Sequence, residues 1–186
     1  MAATLDLTTL GKFYRRQLLE DVLPFWFPRA YDEKNGGLYH CFDADGTLVD
    51  SDKSVWAQGR MAWMLLTMYN SIEKNTDWLK WAESALEFLK TKCVDPADGR
   101  MFFHVAADGT PIRKRRYAYS ESFAAIAFAA HARATGSPPL VRHLHGQLLH
   151  SRQNGSQIHR GTSYDRSGHP HDYPEHSSGN AQVPGR

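Results

Sequence analysis

The chain has 186 residues, of which 41% are hydrophobic, 12% aromatic and 23% charged, a profile that fits one soluble folded domain and excludes a wholly disordered chain. A net charge of +2, from 22 basic and 20 acidic residues, gives no electrostatic reason to expect nucleic acid or an anionic membrane as partner. No apolar run reaches the length of a spanning helix, the first dozen residues do not read as a signal peptide, and Cys41 and Cys93 are too few for a disulfide framework or a metal cluster, so a reduced, cytoplasmic setting is expected.

Taken in chain order, Leu7, Leu10, Phe13, Tyr14, Leu18 and Val22 recur at helical spacing and predict a helix that stops before Pro24 and Pro28. Asn35-Gly36-Gly37 predicts a turn, Leu38–Phe42 a short extended piece, and Asp45-Gly46 a second turn. The next helix is expected over Val55–Glu73, capped by Asp52 or Ser54, and another over Trp78–Lys92, started by Thr76 or Asp77 with Leu79, Ala82, Leu86 and Leu89 on one face. Asp98-Gly99 opens a hairpin in which Met101–Val105 pairs with Pro111–Arg115 through Asp108-Gly109. A last helix over Ser120–Thr135 ends at Gly136, and its run from Glu121 to Ala130 is apolar nearly all round, as in a helix buried among others. Ser120 and Glu121 are placed to cap it.

Composition breaks near Thr135-Gly136. All five tryptophans lie in the first 81 residues, whereas Ser137–Arg186 contains no Phe, Trp, Met, Lys or Cys and holds seven of the ten histidines. Residues 1–136 therefore read as the folded part and 137–186 as a disordered, low-order tail, because such a segment buries too little apolar surface to offset its ordering entropy. A second reading of the tail is out-of-frame translation. Tyr164–Tyr173, back-translated and shifted by one base, can read Met-Thr-Gly-Leu-Ala-Thr-Pro-Met-Ile.

Arg60 shares a helix face with Trp56 and Trp63, at i−4 and i+3. Two readings stay open from spacing alone: a ligand-binding guanidinium among aromatic rings, or an arginine packed over tryptophan as an ordinary cation–π pair. His40, His104 and His131 lack metal-like partners at usable spacing and read as structural or exposed. The run Arg113-Lys114-Arg115-Arg116 reads as a solvated strand end, with a phosphate-recruiting patch as the alternative. There is no Gly-rich phosphate loop and no run of alternating carboxylates for calcium.

The ordered set Asp32-Glu33-Lys34-Asn35-Gly36-Gly37, Asp45-Gly46, Lys53-Ser54-Val55-Trp56-Ala57-Gln58-Gly59-Arg60, Asp108-Gly109-Thr110-Pro111, Arg116 and Tyr119-Ser120-Glu121-Ser122-Phe123 resembles the N-terminal signature of the N-acylglucosamine 2-epimerase family over about residues 10–136. The resemblance implies an all-α fold, an incomplete (α/α)6 barrel in its N-terminal portion, decorated with short β-hairpins. It implies epimerisation at C2 between N-acetylglucosamine and N-acetylmannosamine by two-sided proton transfer, with no metal or redox cofactor and with a homodimer as the family's frequent assembly. Within it Arg60 matches a pocket arginine, Trp56 belongs to a sugar platform or to the core, and Tyr119 offers its hydroxyl to the sugar or simply packs. The catalytic histidines and a partner glutamate belong to the second half of the barrel, so no catalytic residue is assigned here and the chain is expected to be an inactive fragment. Ser120-Glu121 favours the N-acyl branch over an aldose–ketose isomerase or a cellobiose 2-epimerase; a non-catalytic sugar-binding fragment is the remaining alternative.

Overall fold

The computed structural model describes residues 6–114 and 118–137, together with the strand backbone at 163–164 and 170–171. Helix α1 (Leu7–Gln17) is capped by Asp6, whose carboxylate accepts from Thr8 N–H. It does not stop before Pro24. A π-helical segment, Leu18–Val22, follows, and α2 (Leu23–Trp26) carries the proline in its first turn. Leu23 N–H donates to Leu18 O, five residues back, and in the turn that follows the missing amide of Pro24 costs no helical bond. Leu23 and Phe27 then enter the core, where the Phe27 ring stacks on Trp81 at 4.7 Å.

Strands β1 (Cys41–Phe42) and β2 (Leu48–Asp50) form the first hairpin, around Gly46. The expected extended piece is shorter than Leu38–Phe42, because Leu38 instead bridges back to Tyr31 across the Gly36-Gly37 turn. The second hairpin is β4 (His104–Val105) with β5 (Pro111–Arg113). It gains a strand that the sequence pattern did not reveal: β3 (Lys53–Ser54) pairs antiparallel with β4. Beyond β5 the sheet continues through β6 (Ser163–Tyr164) and β7 (Pro170–His171). Apart from these strand backbones, the readings of the tail fall outside the described residues.

Three long helices make the body. They are α3 (Val55–Ser71), α4 (Thr76–Lys92) and α5 (Tyr119–Thr135). Ser54 occupies the N-cap position of α3 but its side chain makes no capping bond, and α4 is capped by Asn75 rather than by Thr76 or Asp77, its side chain accepting from Asp77 and Trp78 N–H. Gly136 ends α5 in the left-handed conformation, φ 72°, as the sequence predicts. Ala82, Leu86 and Leu89 of α4 are buried as expected, in one core with Ala62, Leu65 and Leu66 of α3 and Ala124 and Ala127 of α5, whereas Leu79, expected on the same face, is only partly buried.

Helices α3 and α5 run parallel. Trp56 meets Ser120 near their N-termini and Asn70 meets Ala130 near their C-termini. Contact is close because Gly59 faces the α5 backbone, where a Cβ would lie 2.8 Å from the Phe123 carbonyl carbon. The apolar circumference of α5 is not all buried: Tyr119 and Ile126 are 56% and 42% exposed, since α3 and α4 cover only part of the helix among the described residues.

At a solvent-facing helical site Gly→Ala stabilises by roughly 0.5–1 kcal/mol, but here it forces two backbones apart. Gly59→Ala is expected to destabilise by about 1–3 kcal/mol, read as a lower urea midpoint at unchanged m-value.

Candidate functional site

The stretch Lys53-x-x-Trp56-x-Gln58-x-Arg60 divides into two pairs. Lys53 and Gln58 point inward and are fully buried, while Trp56 is half-buried and Arg60 exposed. The Lys53 ammonium lies 2.6 Å from Asp32 Oδ2, 2.7 Å from Gly36 O and 2.8 Å from Ala107 O, so all three protons have acceptors. The rings of Phe88 and Tyr39 lie against it at 4.5 and 5.0 Å. Gln58 clamps the backbone at Leu38: its Oε1 accepts from Leu38 N–H at 2.8 Å and its Nε2 donates to Leu38 O at 2.5 Å. Gly37 is required beside it, with φ 75° and an imagined Cβ 2.9 Å from Gln58 Oε1.

Burial pushes the Asp32 carboxyl up, but hydrogen bonds from Lys53, from the Asn35 backbone and side chain, and from Tyr39 outweigh it and bring its pKa down to about 2. Burial also pushes the Lys53 ammonium down, opposed by the same carboxylate. We take the pair as ionised, because three oxygens surround Nζ within 2.8 Å.

Trp56 stands at the start of α3 among aromatic rings. Phe103 lies at 5.2 Å edge-on, Tyr119 at 5.2 Å edge-on and Phe123 at 6.0 Å tilted. Its indole Nε1–H donates to Ser120 Oγ at 3.1 Å. The Arg60 guanidinium lies 5.4 Å from the centroid of Phe123, and has no hydrogen bond or ion pair among the described residues. It stacks on phenylalanine rather than on Trp56 or Trp63. Arg60, Trp56 and Tyr119 are thus brought into one cluster, Phe123 lying between Arg60 and Trp56, and Trp56 between Phe123 and Tyr119. Trp63, on the same α3 stripe, lies outside it and lines a groove of about 260 Å³ with Thr67, Asn70, Ile126 and Arg133.

Ser120 and Glu121 do not cap α5. Ser120 is taken up by Trp56, and Glu121 Oε1 accepts from Met101 N–H at 3.1 Å, tying the 94–101 loop to the helix, while its Oε2 is buried without a hydrogen-bond partner among the described residues. Lys114 is not a solvated strand end either. It bridges Asp95 at 2.5 Å and Asp98 at 2.7 Å, because the turn at 95–100 folds back beside β5. Arg116 lies outside the described residues. Of the histidines, His131 pairs with Glu83 at 3.0 Å across α4 and α5. His40 and His104 sit near one another on the two hairpins, and burial depresses both pKa values. Sequence reasoning missed Lys53, Gln58, Phe103 and Phe123. The spacing of the motif was the available signal, but the burial of a lysine follows only from turns distant in the chain.

With this geometry in hand, the pattern of the family described as N-acylglucosamine 2-epimerase (GlcNAc 2-epimerase) matches residues 37–164. The chain belongs to this family. A cellobiose 2-epimerase from Eubacterium cellulosolvens is 37% identical over 123 residues, 66% of this chain and 30% of that protein. An N-acylglucosamine 2-epimerase from Rattus norvegicus is 32% identical over 123 residues, 64% of this chain and 29% of its own. The solved cellobiose 2-epimerase from Spirochaeta thermophila superposes with a TM-score of 0.70 at 25% identity, covering 86% of this chain and 39% of its own. The alternating helices are the N-terminal part of the (α/α)6 barrel seen in such epimerases, and the chain spans about 30% of the length of the relatives it matches. No helix among the described residues is long and apolar enough to cross a membrane.

Two outcomes follow from the buried pair. Lys53→Met leaves a buried carboxylate without its cation and is expected to cost about 3–5 kcal/mol by urea unfolding at pH 7, partly recovered by adding Asp32→Asn. Because the Asp32 pKa falls from roughly 3.9 unfolded to about 2 folded, the unfolded chain binds more protons in that interval and stability drops as pH is lowered through it. A stability–pH curve measured on Asp32→Asn should be flatter between pH 4 and 2 than that of the wild type.

Proposed function

We propose that this part of the barrel supplies the binding wall of a sugar 2-epimerase, acting on N-acetylglucosamine and N-acetylmannosamine. The observation that carries the reading is Arg60: an exposed guanidinium over the Phe123 ring, 5.4 Å from its centroid, and free of any ion pair among the described residues, in the cluster that also holds the Trp56 and Tyr119 rings. A cation so placed can donate to the carbonyl oxygen of an open-chain sugar and stabilise the negative charge that develops there when the C2 proton is removed. The aromatic faces suit the C–H face of a sugar, and Tyr119, 56% exposed, adds a ring at the rim of the same cluster.

Epimerisation at C2 needs one group to take the proton and another to return it to the opposite face. This reading gives the present residues binding and charge stabilisation and leaves both proton transfers to residues elsewhere in the barrel. The cytoplasm and a homodimer belong to the same proposal. A second reading, cellobiose as substrate, is favoured by the 37% identity to the Eubacterium enzyme; an epimerase acting on either sugar would use Arg60 in the same way.

Titration calorimetry of the purified chain with N-acetylmannosamine is expected to show saturable heat at millimolar or tighter affinity that disappears in Arg60→Ala. Equal heats from the two proteins would remove the binding wall. Incubation with N-acetylglucosamine is expected to yield no N-acetylmannosamine above buffer background, and clear turnover would show that proton transfer also resides in this chain.

A further inference from the structure

Tyr119, Ser120 and Glu121 are successive residues of the first turn of α5, and their side chains leave the helix about 100° apart. Tyr119 goes to the Trp56 ring and solvent, Glu121 to Met101 N–H, and Ser120, only 3% exposed, to the Trp56 indole nitrogen. The indole N–H is donor only, and a half-buried one needs an acceptor. Three surrounding rings fill space around Trp56, but ring packing tolerates a range of angles and does not fix which edge faces inward. The Nε1–H···Oγ bond at 3.1 Å does.

We propose that Ser120 is a positioning residue: by accepting from Trp56 it fixes the plane of the indole that receives the sugar. The proposal rests on the reading of Trp56 as part of the binding wall. Ser120 does not itself touch the ligand. It acts from α5 on a residue of α3, and Gly59 lets the two backbones lie close enough for so short a side chain to reach.

The test uses the full chain labelled with ¹⁵N, which gives five indole N–H signals, that of Trp56 being the one absent from Trp56→Phe. In the wild type the Trp56 indole order parameter should be near about 0.85; in Ser120→Ala it should fall below roughly 0.6, with the backbone amide spectrum and the other four indoles unchanged. Titration with N-acetylmannosamine should then show affinity about fivefold weaker in Ser120→Ala, the effect of one neutral hydrogen bond. In the Trp56→Phe background, where the donor is gone, Ser120→Ala should change the affinity no further. An unchanged order parameter in Ser120→Ala overturns the proposal, as does equal weakening in both backgrounds, which would mark a general loosening of α5. If the wild type shows no saturable shift with the sugar, the binding-wall reading falls, while the ligand-free order parameter still decides whether Ser120 holds Trp56.

Discussion

The buried ammonium of Lys53 is the interaction on which the rest of the structure depends. It joins Asp32 and Gly36 of one turn to Ala107 of another, and it does so from the residue that opens the short strand leading into α3. A lysine without exposed surface is unfavourable unless every proton is accepted and the charge is balanced, and both conditions are met. The two turns, the first residues of α3 and the strand ladder between β3 and β4 are therefore held as one unit. Gln58 extends that unit by one helical turn, gripping Leu38 with both ends of its amide.

Residues 53, 56, 58 and 60 thus alternate between scaffold and site. The inward pair sets where α3 begins and how it is rotated; the outward pair inherits that rotation and presents an indole and a guanidinium to the same space. α5 answers with Tyr119, Ser120 and Phe123, each contacting one of the outward pair or its ring neighbours. The features that the proposed sugar site relies on, a flat ring and a cation without an ion pair among the described residues, come from two parallel helices kept close by one glycine.

Much of this was legible in the sequence. The three long helices, the Gly136 stop and the two hairpin turns follow from periodicity and turn residues, and the motif resemblance singled out Arg60, Trp56 and Tyr119, which lie in one cluster. Strand β3 was not legible, because two residues directly before a helix have no alternation to read. The passage of the first helix over Pro24 was missed, since a π-turn leaves no pattern in composition. Ser120 and Glu121 had the chemistry and position of caps, yet tertiary partners claimed both. Lys114 likewise read as a surface charge until the turn carrying Asp95 and Asp98 folded back on it. In each case the deciding partner is distant in sequence, or the local signal is shorter than one period.

The span bridged by Lys53 also bears on the order of events during synthesis. Ala107 follows Lys53 by 54 residues, so at about 5–20 residues per second the ribosome takes roughly 3–11 s to deliver the last acceptor. During that interval the nascent α3 carries a hydrated ammonium at its foot, and a chain so far made can form helices but cannot close the base of the site. Completion of the second hairpin is the event that lets the lysine leave water. The base of α3 is therefore fixed before α5 is made, and a pause in translation ahead of that hairpin would hold the chain with α3 and α4 made and their anchor still open.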